Sequence, residues 1–397
     1  MNSIKNNILV LNDFPICPVN HGGKVRIYNV YKNIAQIYRV KYLCFGNSTS
    51  IEETQISEKF YEIRIPKQRM HRKLIKLAYM VFGCSADDLV ALFIARYNGT
   101  LNEIIKQYIT DSSVVILSHP YMYPAVKPFL KNQFVIYEAH NVEYLLKNSS
   151  LNRNLLSKAV LKQLWSVEKA LVHRCDLCFT TSDLDKKTFC NLYDIKPSKI
   201  IVAPNGVNPE IYLPKLGASP YREEKIISPP LVVFLGSGHY PNVEATRLII
   251  QEIAPKMPDV YFLICGSVCW SVQNELHSDN IGLAYMIDED EKIELFRVAD
   301  IAINPMKSGS GTNVKMLDFM AAGLPVVTTP TGARGLNIKN GIHGIICSIE
   351  EFPGQIRRLL NDIELYRNIS ENERKIVEES YDWKKISTLM INAIPKN

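Results

Sequence analysis

The sequence predicts an α/β protein of two domains, each a wound parallel sheet with helices on both faces. Three observations carry that expectation. The chain has 397 residues, too many for one ordinary core and right for two of roughly 150–200 residues. Short apolar runs alternate with segments of helical period along its whole length, the pattern of strand–helix units that feed a parallel sheet. The runs are continuously apolar rather than alternating, as strands covered on both faces must be.

Strands are expected in the first half near Ile8–Leu11, Val40–Leu43, Val114–Leu117, Phe134–Tyr137, Leu177–Thr180 and Lys199–Val202. In the second half they are expected near Leu231–Leu235, Tyr261–Cys265, Ile301–Asn304 and Pro325–Thr328. Between them lie helical periods such as Leu155–Leu171, with Leu156, Val160, Leu164, Val167 and Leu171 on one stripe. The break between the halves falls near Leu213–Pro230, a stretch with four prolines, one glycine and a charge cluster. Domains are therefore expected at 1–210 and 211–375, with a closing segment at 376–397. Within that segment Trp383, Ile386, Leu389, Met390 and Ala393 recur at helical spacing and must dock somewhere.

Composition narrows the class. Hydrophobic residues at 47% and charged residues at 22% describe a folded globular chain. No apolar run approaches the roughly 20 residues of a membrane-spanning helix, and the short apolar start reads as a first strand rather than a signal peptide. Nine scattered cysteines, an odd number, suit a reduced, cytoplasmic compartment. The net charge of +6 is uneven: residues 1–205 hold 27 Lys and Arg against 16 Asp and Glu, and residues 206–397 hold 19 against 24. The densest basic stretch, Lys67, Arg69, Arg72, Lys73 and Lys76, is interleaved with Leu74, Ile75, Leu77, Met80 and Phe82. Such a helix can be a solvated face or can lie peripherally on an anionic membrane surface, here the inner face. No nucleic-acid motif accompanies the charge, so nucleic acid is not an expected partner.

In open α/β sheets ligands bind outside the carboxyl ends of the strands, and three such loops stand out. After the first strand, Gly22 and Gly23 open a helix whose apolar face is expected at Val25, Tyr28, Tyr31 and Ala35. Glycine admits a ligand to the backbone, and a helix N-terminus offers N–H groups to an anion. After Ile301–Asn304 comes SGSGTNVKMLDFMAAGLPVVTT. Gly309, Gly311, Thr312 and Asn313 head a helix expected over Val314–Ala322, Lys315 lies in its first turn and Asp318 follows on the same face. Amides and a lysine for a diphosphate, with a carboxylate for two ribose hydroxyls, suit a sugar nucleotide. The spacing of a Walker loop is absent. The third feature is a pair of histidines, His119 and His140, each just past a strand. Either can donate to a sugar hydroxyl or phosphoryl oxygen, with Glu138 or Glu143 orienting the ring.

Together NHGGKVR, AHNVEY, APNGVN, GSGTNVKMLDFMAAGLPVVTT and GARGL resemble glycosyltransferase family 4, in order and over nearly the whole chain. The resemblance implies a GT-B fold, two Rossmann-like domains facing across a cleft that holds the active site. It implies retaining transfer from a nucleoside-diphosphate sugar, without a metal or other cofactor, to a glycan or lipid-linked acceptor such as a surface polysaccharide. It also implies that the final helix crosses back to the first domain. The catalytic set expected is His119, His140 and Lys315. The donor-binding set is Gly22, Gly23, Ser310, Gly311, Thr312, Asn313, Asp318 and Arg334. The sequence departs from the family at two points. The Glu-x7-Glu pair falls on Ser310 and Asp318, so only the ribose carboxylate is kept. The loop Leu235–Ala245 has no basic residue besides His239, so Lys315, with Arg334 or Arg26, must neutralise the diphosphate. A sugar-nucleotide-binding protein without transferase activity, and an epimerase or phosphorylase of the same fold, are the alternatives.

Weaker signals have plainer explanations. Gly236-Ser237-Gly238 hints at a dinucleotide loop but has Pro241 at the third glycine position. Asp183/Asp185 and Asp288/Asp290 imitate a metal-binding Asp-x-Asp, yet precede helices as N-caps do. Cys175 and Cys178 form a lone CxxC without the second pair a zinc site needs.

Overall fold

A computed structural model describes residues 7–19, 22–213, 229–309 and 311–395. Most of the expected break at Leu213–Pro230, and Ser310, lie outside the described residues. The chain divides into two compact units, Met1–Pro204 with Ile386–Asn397, and Asn205–Lys385.

The first unit is built on an eight-stranded sheet of order β3-β4-β2-β1-β5-β6-β7-β8. Its strands are β1 Asn7–Leu11, β2 Arg39–Gly46, β3 Glu52–Ser57, β4 Phe60–Pro66, β5 Val114–Leu117, β6 Phe134–Glu138, β7 Leu177–Thr180 and β8 Ile200–Val202. All pairings are parallel except β3 with β4. The second unit is a six-stranded, all-parallel sheet of order β11-β10-β9-β12-β13-β14. Its strands are β9 Leu231–Leu235, β10 Tyr261–Cys265, β11 Ile281–Ala284, β12 Ile301–Asn304, β13 Val326–Thr328 and β14 Ile345–Ile346.

The ten expected strands form where the apolar runs lie, and the central ones are buried on both sides: Leu9, Val10, Val115, Ile116, Val135 and Ile136 are all inaccessible to solvent. Four strands go unpredicted for a common reason: none has a long apolar run. β3 is polar and exposed, β4 interrupts its apolar residues with the buried Glu62, β11 contains Gly282, and β14 has two residues.

Two helix faces differ from expectation. In the helix Gly22–Ile34 the inward side chains are Ile27, Val30, Tyr31 and Ile34, together with Lys24 and Arg26, rather than a face on Val25 and Tyr28. A polar residue that finds a buried partner shifts the phase, and Arg26 finds one. In Leu155–Arg174, Val160, Leu164, Val167 and Leu171 are buried as expected, but Leu156 is half exposed. The closing helix Trp383–Ala393 buries Trp383, Ile386, Ser387 and Met390, while Leu389 stays outside. Ser387 accepts a hydrogen bond from the Asn33 amide of the first unit at 3.3 Å.

Candidate active site

The order of each sheet creates two places where ligand loops gather. In the second unit β9 lies between β10 and β12, so the chains leaving β9 and β12 run to opposite sides and leave a crevice at the strand ends. The loop after β12 enters the helix Val314–Ala321 through Gly311, whose φ of +73° favours glycine. At the helix start, Asn313 gives no side-chain cap. Its Nδ2 instead donates to the carbonyls of Thr331 and Gly332, at 3.3 and 3.1 Å. The first-turn amides are thus left without the side-chain acceptor that usually serves them, in the geometry of an anion site.

Lys315 sits in this first turn. Its Nζ donates to Asn242 Oδ1 at 2.8 Å and lies 4.3 Å from the centroid of the Phe234 ring. Among the described residues no carboxylate pairs with it, and burial alone lowers its pKa from 10.5 to about 7. A desolvated amine beside amides without a side-chain cap is an arrangement able to receive an anion. The neighbouring loop closes against it, with Ser308 donating to Glu244 Oε2 at 2.6 Å. Arg334 is exposed at the other lip, where its guanidinium donates to the Gly309 carbonyl at 3.3 Å. Asp318 turns toward different partners. Its Oδ1 accepts from the Tyr212 hydroxyl at 2.9 Å and lies 3.7 Å from Lys292 Nζ; burial raises its pKa, against the pull of Lys292. Asn242, Ser308 and Glu244 were missed because an amide or hydroxyl that serves a neighbouring loop has no spacing signature.

Behind Thr312 the turn Thr329–Leu336 packs closely. A Cβ on Gly335, whose φ is +80°, would lie 2.5 Å from Thr312 Oγ1. We expect Gly335→Ala to weaken binding of a nucleoside diphosphate at least tenfold through displacement of Thr312, with a stability loss of about 1–2 kcal/mol from the left-handed backbone. Calorimetric titration and thermal unfolding measure the two effects separately.

In the first unit, β1, β5 and β6 are adjacent and in register, with Leu11 opposite Leu117 and Leu117 opposite Tyr137. Their carboxyl ends therefore bring together Asn12 and Asp13, Ser118 and His119, and Glu138 and His140. The two imidazoles meet with centroids 4.4 Å apart. His119 Nδ1 lies 3.0 Å from Asn12 Oδ1, and its Nε2 lies 3.8 Å from Glu143 Oε1. His140 Nε2 lies 3.5 Å from both Ser118 Oγ and Glu138 Oε1. Both histidines are nearly buried.

Glu138 is the hub beneath them. Its oxygens accept from Arg26 Nε at 2.9 Å and from the hydroxyls of Tyr31 and Ser118 at 2.6 Å each. Burial opposes its charge, but His140, Arg26 and these donors outweigh it and hold the carboxyl well below the usual range. Burial lowers the pKa of His140 in spite of Glu138. Arg26, buried and 2.9 Å from the carboxylate, is a second cationic partner of Glu138. This corrects one expectation: Arg26 is committed to Glu138 and to the Pro204 carbonyl, at 2.7 Å, and is not a diphosphate ligand. Two further carboxyls lie nearby. Burial raises Glu143 to about 8, although it accepts from Tyr121 at 2.6 Å. Burial, then Asp88, raises Asp13 to about 7, and its Oδ1 has no hydrogen-bond partner among the described residues. Gly22 and Gly23 open their helix at the end of the loop that follows β1.

The remaining motifs are structural. Ser182, rather than Asp183, caps the helix Asp183–Tyr193, and Asp288 forms a capping box with Glu291. Cys175 and Cys178 are buried free thiols. Among the described residues no group of three His, Cys, Asp or Glu is placed to hold a metal ion, and no helix is long and apolar enough to cross a membrane.

Solved structures of GT-B glycosyltransferases share this fold. HepE of Anabaena in complex with UDP-glucose matches with a TM-score of 0.67 at 11% identity, over 98% of this chain and 99% of that one. Sucrose-phosphate synthase of Thermosynechococcus elongatus matches with a TM-score of 0.70 at 14% identity, over 98% of both chains. The 44.6 kDa protein in the cps region of Klebsiella pneumoniae is 23% identical over 96% of this chain and 97% of its own length. D-inositol 3-phosphate glycosyltransferase of Corynebacterium aurimucosum is 21% identical over 78% of this chain and 77% of its own. The family model described as Glycosyltransferase Family 4 matches residues 22–211, and the one described as Glycosyl transferases group 1 matches residues 229–362. The chain is a GT-B glycosyltransferase whose two parts match these two glycosyltransferase family models.

Proposed function

We propose that the protein transfers a sugar, with retention, from a nucleoside-diphosphate sugar to a glycan or lipid-linked acceptor in the synthesis of a surface polysaccharide. The carrying observation is the Lys315 amine, desolvated and without a carboxylate partner among the described residues, at a helix start that lacks a side-chain cap. Neighbours of the same fold that bind UDP-glucose support the donor class, and the relative in a cps region supports the polysaccharide role.

In this proposal the diphosphate lies on the amides of Gly311, Thr312 and Asn313 with Lys315 as counter-ion, and Arg334 at the lip. Asp318 offers its second carboxylate oxygen to the ribose. The bond from the anomeric carbon to the diphosphate oxygen breaks with its electron pair going to the leaving group. Lys315 and the helix start stabilise that growing charge. The acceptor oxygen bonds to the anomeric carbon on the same face, and its proton passes to the departing phosphate oxygen. The protein then needs no nucleophile of its own. His119 and His140 hold sugar or phosphoryl oxygens by hydrogen bonds.

The test is a panel of nucleotide sugars, read first as thermal shift and then as nucleoside diphosphate released with and without lipid acceptor. A cognate donor at a hundred times its Kd adds about 2.7 kcal/mol of stability, several degrees in Tm for domains of this size. No shift with any member would overturn the donor assignment. A shift without release in the presence of acceptors would favour the binding-protein alternative.

A further inference from the structure

The first unit carries a second concave surface, made by three helices outside the candidate site. The helix Arg69–Phe82 turns His71, Ala78 and Phe82 inward. With Asp87–Ile94 and the start of Leu155–Arg174 it encloses a groove of about 300 Å³, every lining side chain of which is apolar, Leu74, Leu77, Val81, Phe93, Leu156 and Val160 among them. Around it stand apolar side chains turned to solvent: Met70, Leu77, Met80 and Phe93, with Leu155 84% exposed. A continuous apolar surface of this kind is unusual on a soluble protein and marks an interaction site.

The charge around the groove says what covers it. The helix Arg69–Phe82 has four cations in its first eight residues, Arg69, Arg72, Lys73 and Lys76, and no acidic residue. Cations at a helix N-terminus oppose the dipole, and Gln68 supplies no side-chain cap. Arg72 is held by the carbonyls of Lys67, Asn47 and Ser48. Arg69, Lys73 and Lys76 are exposed and take part in no ion pair among the described residues. Arg153 and Lys158, also exposed, flank Leu155 and Leu156. In water this arrangement is doubly unfavourable, with uncompensated cations beside bare hydrocarbon. At an anionic lipid interface both terms change sign.

We propose that this face docks on an anionic phospholipid leaflet, with the groove taking one hydrocarbon chain of a lipid from it. The docking extends the proposed function by placing the enzyme where a lipid-linked acceptor resides, and rests on that reading only for its purpose.

The test is flotation of the full chain with phosphatidylcholine vesicles, with and without phosphatidylglycerol, at low and high salt. Binding is expected to the anionic vesicles alone and to fall as salt rises. The triple variant Arg69→Gln, Lys73→Gln, Lys76→Gln is expected to bind about a hundredfold more weakly. Leu77→Asp with Leu156→Asp, at two half-exposed positions, is expected to abolish binding while its thermal unfolding stays cooperative. Leu156→Trp reports on the groove: its fluorescence should be quenched by lipids brominated along the chain, in anionic vesicles only. Absence of binding at low salt, or equal binding to neutral vesicles, would overturn the docking. An unquenched Leu156→Trp on bound protein would overturn the groove's role. Donor-induced thermal shift without vesicles should be the same in the parent and the aspartate variant, so a failure of the donor assignment shows up separately.

Discussion

Lys315→Ala is expected to lower turnover at least tenfold and to weaken nucleotide-sugar binding with it. The ammonium is desolvated and lacks a carboxylate partner, so a bound diphosphate gains a counter-ion at low local dielectric, where a charge-assisted bond to an anion contributes about 1.5–3 kcal/mol. The same position predicts a pH dependence. Burial lowers the Lys315 pKa to about 7, and the protonated form is the one that binds an anion. Below pH 7 the site is charged and affinity is full. Above it the cation fraction in the free protein falls up to tenfold per pH unit, so Kd should rise with pH while binding takes up a proton. A nucleotide sugar is the right probe, because its esterified phosphates do not titrate in this range. The neighbouring carboxyls accept hydrogen bonds from other groups, Glu244 from Ser308 and Asp318 from Tyr212, so Lys315→Ala should make the slope clearly shallower. Turnover and a pH-dependent affinity in Lys315→Ala equal to those of the parent would remove lysine from the donor site.

The second large effect is on stability. Glu138→Ala is expected to destabilise the first unit by about 3–5 kcal/mol, the usual consequence of leaving one member of a buried pair without its partner. Arg26 would remain buried and charged, and the Tyr31 and Ser118 hydroxyls would lose their acceptor. Replacing both ions, Arg26→Met with Glu138→Leu, should cost clearly less, because no charge is then stranded. Denaturant unfolding of the singles and the double measures the coupling. The pH dependence follows from the depressed carboxyl: its stabilisation is present above the ordinary carboxylate pKa and is lost as pH falls through the folded value, so acid should unfold the parent well below the ordinary range. A double variant no more stable than Glu138→Ala would show that the ion pair is not what holds these strand ends together.

The loop after β12 was legible because its chemistry is local. Gly311, Thr312, Asn313 and Lys315 are consecutive or nearly so, and a helix start after a buried strand points amides outward whatever surrounds it. The histidines were legible only as positions past strands. Their joining into one cluster depends on β1, β5 and β6 lying side by side in register, although 107 residues separate His119 from Asn12. Arg26 shows the limit most clearly. As a cation after a glycine pair it reads as a phosphate ligand, yet Glu138, 112 residues away, claims it.

The sequence alone determined what depends on short range: which continuously apolar segments are strands, that two wound sheets result, and which loop ends in amides at a helix start. Only the tertiary structure decided which charges neutralise one another, which lysine is desolvated with no carboxylate partner among the described residues, and that half-exposed Leu156 borders an open groove rather than a core. Hydrophobic period and turn chemistry act over a few residues. Ion pairing and burial depend on distance in space, which strand order sets and no spacing along the chain records.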